Sequence, residues 1–125
     1  MSEQPLWRPD PQQIKHSELS RFTDYVNQQH HLSLDGYKEL HQYSVKNRAS
    51  FWRDVLDYCQ VVYHQDADQD LIDNGHMIEA QWFQGMTLNF AENLLRKNDG
   101  DIALNFTDEQ GRNTTYSYRE LHQKV

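Results

Sequence analysis

The spacing of apolar residues changes once along this chain, and that change limits the folds open to it. Up to about residue 98 the apolar positions recur every three or four residues, as on a helix face; from Ile102 they alternate, as in a strand. The expected fold is mainly α: a small irregular helical domain, then one β-hairpin and a truncated helix. Leu19, Phe22 and Val26 give a first helix its stripe, from an N-cap at Ser17 to about residue 31. Asp35 and Gly36 open a second helix, through Tyr37, Leu40 and Ser44 to about Asn47. Ser50 is the expected N-cap of a third. There Phe51, Val55, Cys59 and Val62 share a face, with Trp52 and Leu56 beside them, and this helix is expected to be the most buried. Residues 1–13, with Pro5, Pro9 and Pro11, should be extended, and partly disordered unless Leu6 and Trp7 are tied down, with Trp7-x-Pro9 as the expected anchor. Residues 64–75 read as a polar loop, and Met77 to Phe83 as irregular or extended.

The stretch from Trp82 to Leu95 organises the rest. Trp82 and Phe83 form an aromatic wedge, and Gly85 supplies a turn. A helix then carries Leu88, Ala91 and Leu95 on one stripe, with Phe90 and Leu94 beside it, and ends around Asn98-Asp99-Gly100. Trp52, Phe51, Val55, Leu88 and Leu94 are expected to form one contiguous cluster. Ile102, Leu104 and Phe106 then face one side of a strand, Asp108 to Gly111 turn, and Thr114 to Tyr118 return. Ser117 and Glu120 form a capping box that starts a new helix. That helix has barely two turns before Val125, so the chain reads as cut rather than finished.

A length of 125 residues suffices for one modest domain with a core. The formal net charge is -7, which argues against nucleic acid or an anionic membrane as main partner. Only 37% of residues are hydrophobic, so three Trp, seven Tyr and five Phe must carry much of the burial. A single cysteine, Cys59, excludes an internal disulfide. With no leader-like run and no apolar stretch of membrane-span length, the expected location is the cytoplasm. The sequons at Asn105 and Asn113 would then go unused.

Three chemistries can be tested against the residues. Asp66-x-Asp68-x-Asp70 has the opening of a calcium loop. The sixth and twelfth positions hold Leu71 and Met77 instead of Gly and Glu, so a solvated acidic loop is the better reading. His16, His30, His31, His41, His64, His76 and His122 fall in no metal-binding framework, and Cys59 with His64 cannot fill a tetrahedral site. Cys59 is expected on an apolar helix face, where a thiol is inert. Gly36, Gly75, Gly85, Gly100 and Gly111 are isolated, so no phosphate cradle is recognisable. No catalytic, cofactor-binding or metal-binding residue is therefore expected in this chain.

Six strings stand out together: Trp7-x-Pro9, Ser17-x-Leu19-x-x-Phe22, Tyr37 with Leu40, Tyr43-Ser44-Val45, Phe51-Trp52 and the block from Trp82 to Leu95. Taken together they resemble the N-terminal region of the acetoacetyl-CoA synthetases, within the acyl-CoA synthetase superfamily of adenylate-forming enzymes. Tyr43 stands where the pattern has Trp, and Gln84 where it has Pro. Leu94-Leu95-Arg96 replaces the Asp-Arg-His of the acetyl-CoA synthetases, which favours the acetoacetate branch.

The resemblance implies a ligase that joins acetoacetate to CoA at the expense of ATP. Acetoacetate attacks the α-phosphate, giving acetoacetyl-AMP and pyrophosphate, and the CoA thiol then displaces AMP. ATP, Mg²⁺ and CoA are thus implied for the parent enzyme, with no cofactor held by this fragment. Residues 1–98 would be its accessory N-terminal domain, and 99–125 the beginning of the AMP-binding adenylation domain. The rest of the parent chain would be the partner, and the fragment alone would be inert. The same region of another short-chain acyl-CoA synthetase, or a free-standing interaction module, remain the alternatives.

Overall fold

The structure, a computed structural model, describes residues 7–125. The order is α1 (Pro11–Lys15), α2 (Glu18–His30), α3 (Tyr37–Lys46), α4 (Arg48–Tyr58), β1 (Gln69–Ile72), a 3-10 turn (Met77–Glu79), β2 (Gln81–Gln84), α5 (Phe90–Leu94), β3 (Ile102–Thr107), β4 (Asn113–Ser117) and α6 (Tyr118–Lys124). The chain is mainly helical, as expected, with two small antiparallel sheets, β1-β2 and β3-β4. It divides into two compact units. One holds the described residues up to Val61 together with Asp68–Gln84; the other holds Val62–Ala67 and Gly85–Val125.

The first unit is built on α2. Ser17 caps it by accepting from the Ser20 N–H, and its buried face is Phe22, Thr23 and Val26. Val26 is fully buried, worth about 1.5–3 kcal/mol for a side chain of this kind. Phe22, Val26, Leu40 and Tyr43 form the core, with Tyr25, Leu34, Phe51, Val55 and Tyr58 packed against it. The Phe22 ring meets Phe51 edge-on at 5.7 Å and Tyr58 at 5.2 Å. After α2, His31 takes a left-handed conformation at φ 53° and ends the helix. Asn27 fixes the chain beyond it. Its Oδ1 accepts from the Leu34 N–H at 2.7 Å, and its Nδ2 donates to the Leu34 carbonyl at 3.1 Å.

Several expectations are corrected here. Residues 11–15 are helical, not extended. Pro11 sits at the first helical position, where its missing N–H costs nothing, and Asp10 and Gln13 close a capping box. Trp7 is 73% exposed and anchors nothing, and Leu6 lies outside the described residues. The third helix starts at Arg48 after Asn47, so Ser50 lies inside it. It ends at Tyr58, which leaves Cys59 exposed at its C-cap and Val62 beyond it. Helix α2, not α4, contains the fully buried residue, because α4 turns Asp54 as well as Leu56 inward.

The supposed polar loop contains β1. It pairs with β2 in the register Gln69 with Gln84, Leu71 with Trp82 and Ile72 with Gln81. Neither strand alternates in the sequence, so neither declares itself. Ion pairs Arg48–Asp73 and Arg53–Asp70 fasten this sheet to α4.

In the second unit the organising helix is far shorter than its periodicity suggests. Asn89 takes the N-cap, its Oδ1 accepting from the Ala91 and Glu92 N–H groups, and the helix stops at Leu94. Leu88 and Leu94 are about half exposed or more, and so is Trp52, which overturns the expected cluster of these with Phe51 and Val55. The final hairpin and helix are as expected. Leu104 pairs with Tyr116 and Phe106 with Thr114, with an irregularity between Ile102 and Leu104. Ser117 and Glu120 form the capping box of α6. Its first two N–H groups, on Tyr118 and Arg119, reach back to the Asp101 and Asp99 carbonyls at 3.0 Å.

Candidate functional site

Three places collect polar or aromatic side chains in ways the sequence did not announce. The first lies at the junction of α2, α3 and α4. Asp54 is 5% exposed. His30 Nε2 lies 2.9 Å from both of its carboxylate oxygens, and the Tyr43 hydroxyl donates to Oδ2 at 3.3 Å. Burial, and then the adjacent Asp54 charge, push the Tyr43 hydroxyl up from about 10 to about 12. A carboxylate orienting an imidazole is half of a general-base system, but such a system needs a nucleophile or a cleft on its other side. Here Asp54 and Tyr43 are buried, the His30 side chain is 34% exposed, and three hollows of this unit are lined by other residues. The arrangement is a polar tie between α2, α3 and α4.

The second place explains the polar residues of the block from Trp82 to Leu95. Asn93 accepts from the Val62 N–H at 2.8 Å and donates to the Val62 carbonyl at 2.8 Å. Glu92 pairs with His64 at 2.9 Å. The Thr87 carbonyl accepts from the His64 N–H at 2.7 Å, and the Thr87 N–H donates to the Gln65 carbonyl at 3.1 Å. Asn89, Glu92 and Asn93 are therefore spent on capping α5 and strapping Val62–Ala67 beside it, not on a ligand.

The third place is an open hollow of about 350 Å³ lined by Trp52, Trp82 and Phe83. The two indoles meet edge-on at 6.1 Å. The Arg53 guanidinium covers the Phe83 ring at 5.4 Å, and its Nε donates to Asp70 at 3.0 Å. Phe83 holds φ at +46°, a left-handed conformation that costs a bulky residue about 1–3 kcal/mol. Gly85, at φ +84°, takes a similar φ without that penalty.

Asp70 is engaged by Arg53, the Asp68 N–H donates to the Gln84 carbonyl, and Asp66 accepts from the Ala67 N–H at 2.7 Å. Cys59 and His64 fall in different compact units. Among the described residues, no group of three or more His, Cys, Asp or Glu is placed to hold a metal ion. No helix among them is long and apolar enough to cross a membrane. The residues the sequence reading missed are Asp54 with His30, and the clamps Asn27 and Asn93. Only a partner distant in sequence reveals them.

Comparison with known proteins adds what the geometry lacks. The family described as acetyl-coenzyme A synthetase N-terminus matches residues 37–94. An acetoacetyl-coenzyme A synthetase of Rhizobium meliloti (strain 1021) is 34% identical over 124 residues, 99% of this chain and 19% of that protein. A malonamoyl-CoA synthetase of Penicillium aethiopicum is 32% identical over 130 residues, 98% of this chain and 18% of that protein. The solved structure of an acetoacetyl-CoA synthetase from Streptomyces lividans superposes with a TM-score of 0.86 at 34% identity, covering 97% of this chain and 19% of that one. The chain thus spans about a fifth of the length of the relatives it matches.

Proposed function

We propose that this chain is the N-terminal part of an acetoacetyl-CoA synthetase and serves as the structural platform of that acid–thiol ligase. The observation that carries the reading is the superposition on the Streptomyces lividans synthetase along nearly the whole chain. The parent enzyme would join acetoacetate to CoA in two steps. An acetoacetate oxygen attacks the α-phosphorus of ATP and expels pyrophosphate; the CoA sulfur then attacks the acyl carbonyl and expels AMP. The first step rests on positioning and on neutralising phosphate charge. The described residues do not fit that task, since the glycines are isolated and no lysine follows a glycine-rich turn. ATP, Mg²⁺ and CoA would accordingly be held by parts of the parent outside this chain, in the cytoplasm. Residues 1–98 would form its accessory domain and 99–125 the opening of the adenylation domain, a division supported by the family match ending at residue 94.

The full-length protein should form acetoacetyl-CoA from acetoacetate, ATP and CoA. The isolated chain should show no ATP–pyrophosphate exchange and no saturable ATP binding by calorimetry. Micromolar ATP affinity in the isolated chain would overturn the platform reading. The malonamoyl-CoA relative, at 32% identity, supports a second reading in which the parent acts on another short acyl acid. A panel of short acids in the same assay separates the two.

A further inference from the structure

We propose that Asn74-Gly75, in the connection between β1 and β2, is a self-modifying site. Asn74 deamidates there to aspartyl and isoaspartyl residues, and the isoaspartyl form loosens the β1-β2 sheet from α4. Asn74 is the one asparagine of the sequence that precedes a glycine. The reaction is intramolecular, so its two reacting atoms are already held close. The Gly75 backbone nitrogen gives its proton to hydroxide and attacks the Asn74 side-chain carbonyl carbon. That C–N bond forms and the side-chain amide C–N bond breaks. The amide nitrogen takes a proton from water, which restores the hydroxide, and leaves as ammonia. Water then opens the cyclic imide. Attack at the side-chain carbonyl gives aspartate, and attack at the main-chain carbonyl gives isoaspartate.

The surroundings leave this path open. Asn74 is exposed, lies in no helix or strand, and has no hydrogen-bond partner for its side-chain amide among the described residues. Glycine at 75 puts no side chain in front of the attacking nitrogen. Beyond its chain neighbours, no atom would lie within 4 Å of a Cβ there. One interaction opposes the attack, because the Gly75 N–H donates to Asp73 Oδ1 at 3.0 Å. A single exposed hydrogen bond of ordinary strength slows the step by at most about ten-fold. Asn27 and Asn93 differ on both counts. Their amides are spent on Leu34 and Val62, and they precede Gln28 and Leu94.

The position gives the modification its effect. Asp73 pairs with Arg48 of α4, one of the ion pairs that fasten the sheet. An isoaspartyl link runs the chain through the side chain and adds a methylene between Asp73 and Gly75. The Gly75 N–H is thereby moved off Asp73. A new carboxylate also appears beside Asp73 and competes with it for Arg48, in a chain already at a net charge of -7.

Ageing the full-length parent in mildly alkaline buffer tests this, native and urea-unfolded side by side. Digestion with an acid protease stops the reaction, and mass spectrometry follows the peptide carrying Asn74. Isoaspartate is counted by methyl transfer from S-adenosylmethionine with an isoaspartyl methyltransferase. Asn74 should convert, mostly to isoaspartate, no more than about ten-fold more slowly in the native parent than in the unfolded one. Slower conversion than that overturns the proposal, since the fold would then protect the site. Asn74→Gln should abolish the methyl acceptance of this peptide, and acceptance of unchanged size overturns the assignment to Asn74. The deamidated parent, separated by its extra charge, should exchange the amides of Gln69–Ile72 at least about three-fold faster than the fresh parent. Equal exchange overturns the loosening.

Discussion

Asn93 holds Val62 by both ends of its amide, accepting from its N–H and donating to its carbonyl, each at 2.8 Å. The side chain replaces a neighbouring strand for a single residue. Asn27 does the same for Leu34 in the other unit. Asparagine suits this task because its amide carries the donor and acceptor of a peptide group.

Removing the Asn93 clamp should loosen the strap. Asn93→Ala loses both hydrogen bonds to Val62 at an exposed site, each worth about 0.5–1.5 kcal/mol, along with those to Asn89 and Arg96. Amides of Val62–Ala67 should exchange roughly ten-fold faster, while those of α2 keep their protection. Asn93→Asp, which lacks the donor, should recover less than half of the loss. Unchanged exchange at Val62 in Asn93→Ala would show that Thr87 and Glu92 suffice.

Arg53→Lys should not rescue what Arg53→Ala loses. The guanidinium faces both Asp70 and the Phe83 ring, and an ammonium cannot serve two partners in that geometry. Each substitution should lower stability by about 1 kcal/mol and speed exchange in Gln69–Ile72. Full rescue by lysine in urea melts would mean that charge alone is needed there.

The Tyr43 hydroxyl makes the fold sensitive to alkali. Its folded pKa is raised to about 12, mainly by burial. Between about pH 10 and 12 the unfolded chain loses this proton and the folded chain keeps it, so stability falls as pH rises through that window. The loss is about 2–3 kcal/mol for a shift of this size. Tyr43→Phe should flatten the corresponding part of the curve in urea melts at pH 9 to 12. An alkaline decline of the same depth in Tyr43→Phe would assign it to other groups, Tyr25 and Tyr58 among them, whose hydroxyls are also raised.

Elements fixed by neighbours in sequence were legible, and those fixed by distant partners were not. Ser17 and the Ser117–Glu120 box announce their helices within four residues. The alternation from Ile102 gives β3 directly. By contrast, Gln69–Ile72 becomes a strand only because Leu71 meets Trp82. Helix α5 kept its apolar period but not its length, because period records which face is apolar and not what that face meets. Asp54 was passed over for the same reason. A carboxylate amid apolar residues looks misplaced until His30, on another helix, is beside it. For the candidate site, the Trp82-Phe83 pair was visible as a wedge, but its partnership with Trp52 and Arg53 was not.

The strap also sets an order of events during synthesis. Val62–Ala67 leaves the ribosome before Thr87 and Asn93 do, so most of its backbone groups have only water to bond with at first. At usual elongation speeds that interval is roughly one to six seconds. The first unit meanwhile needs Asp68–Gln84 to complete its sheet. The nascent chain must therefore carry an unpaired loop between two finished parts of one unit. A pause in translation while Gln84 has emerged from the ribosome and Asn93 has not would lengthen that exposed state more than a pause at any later point.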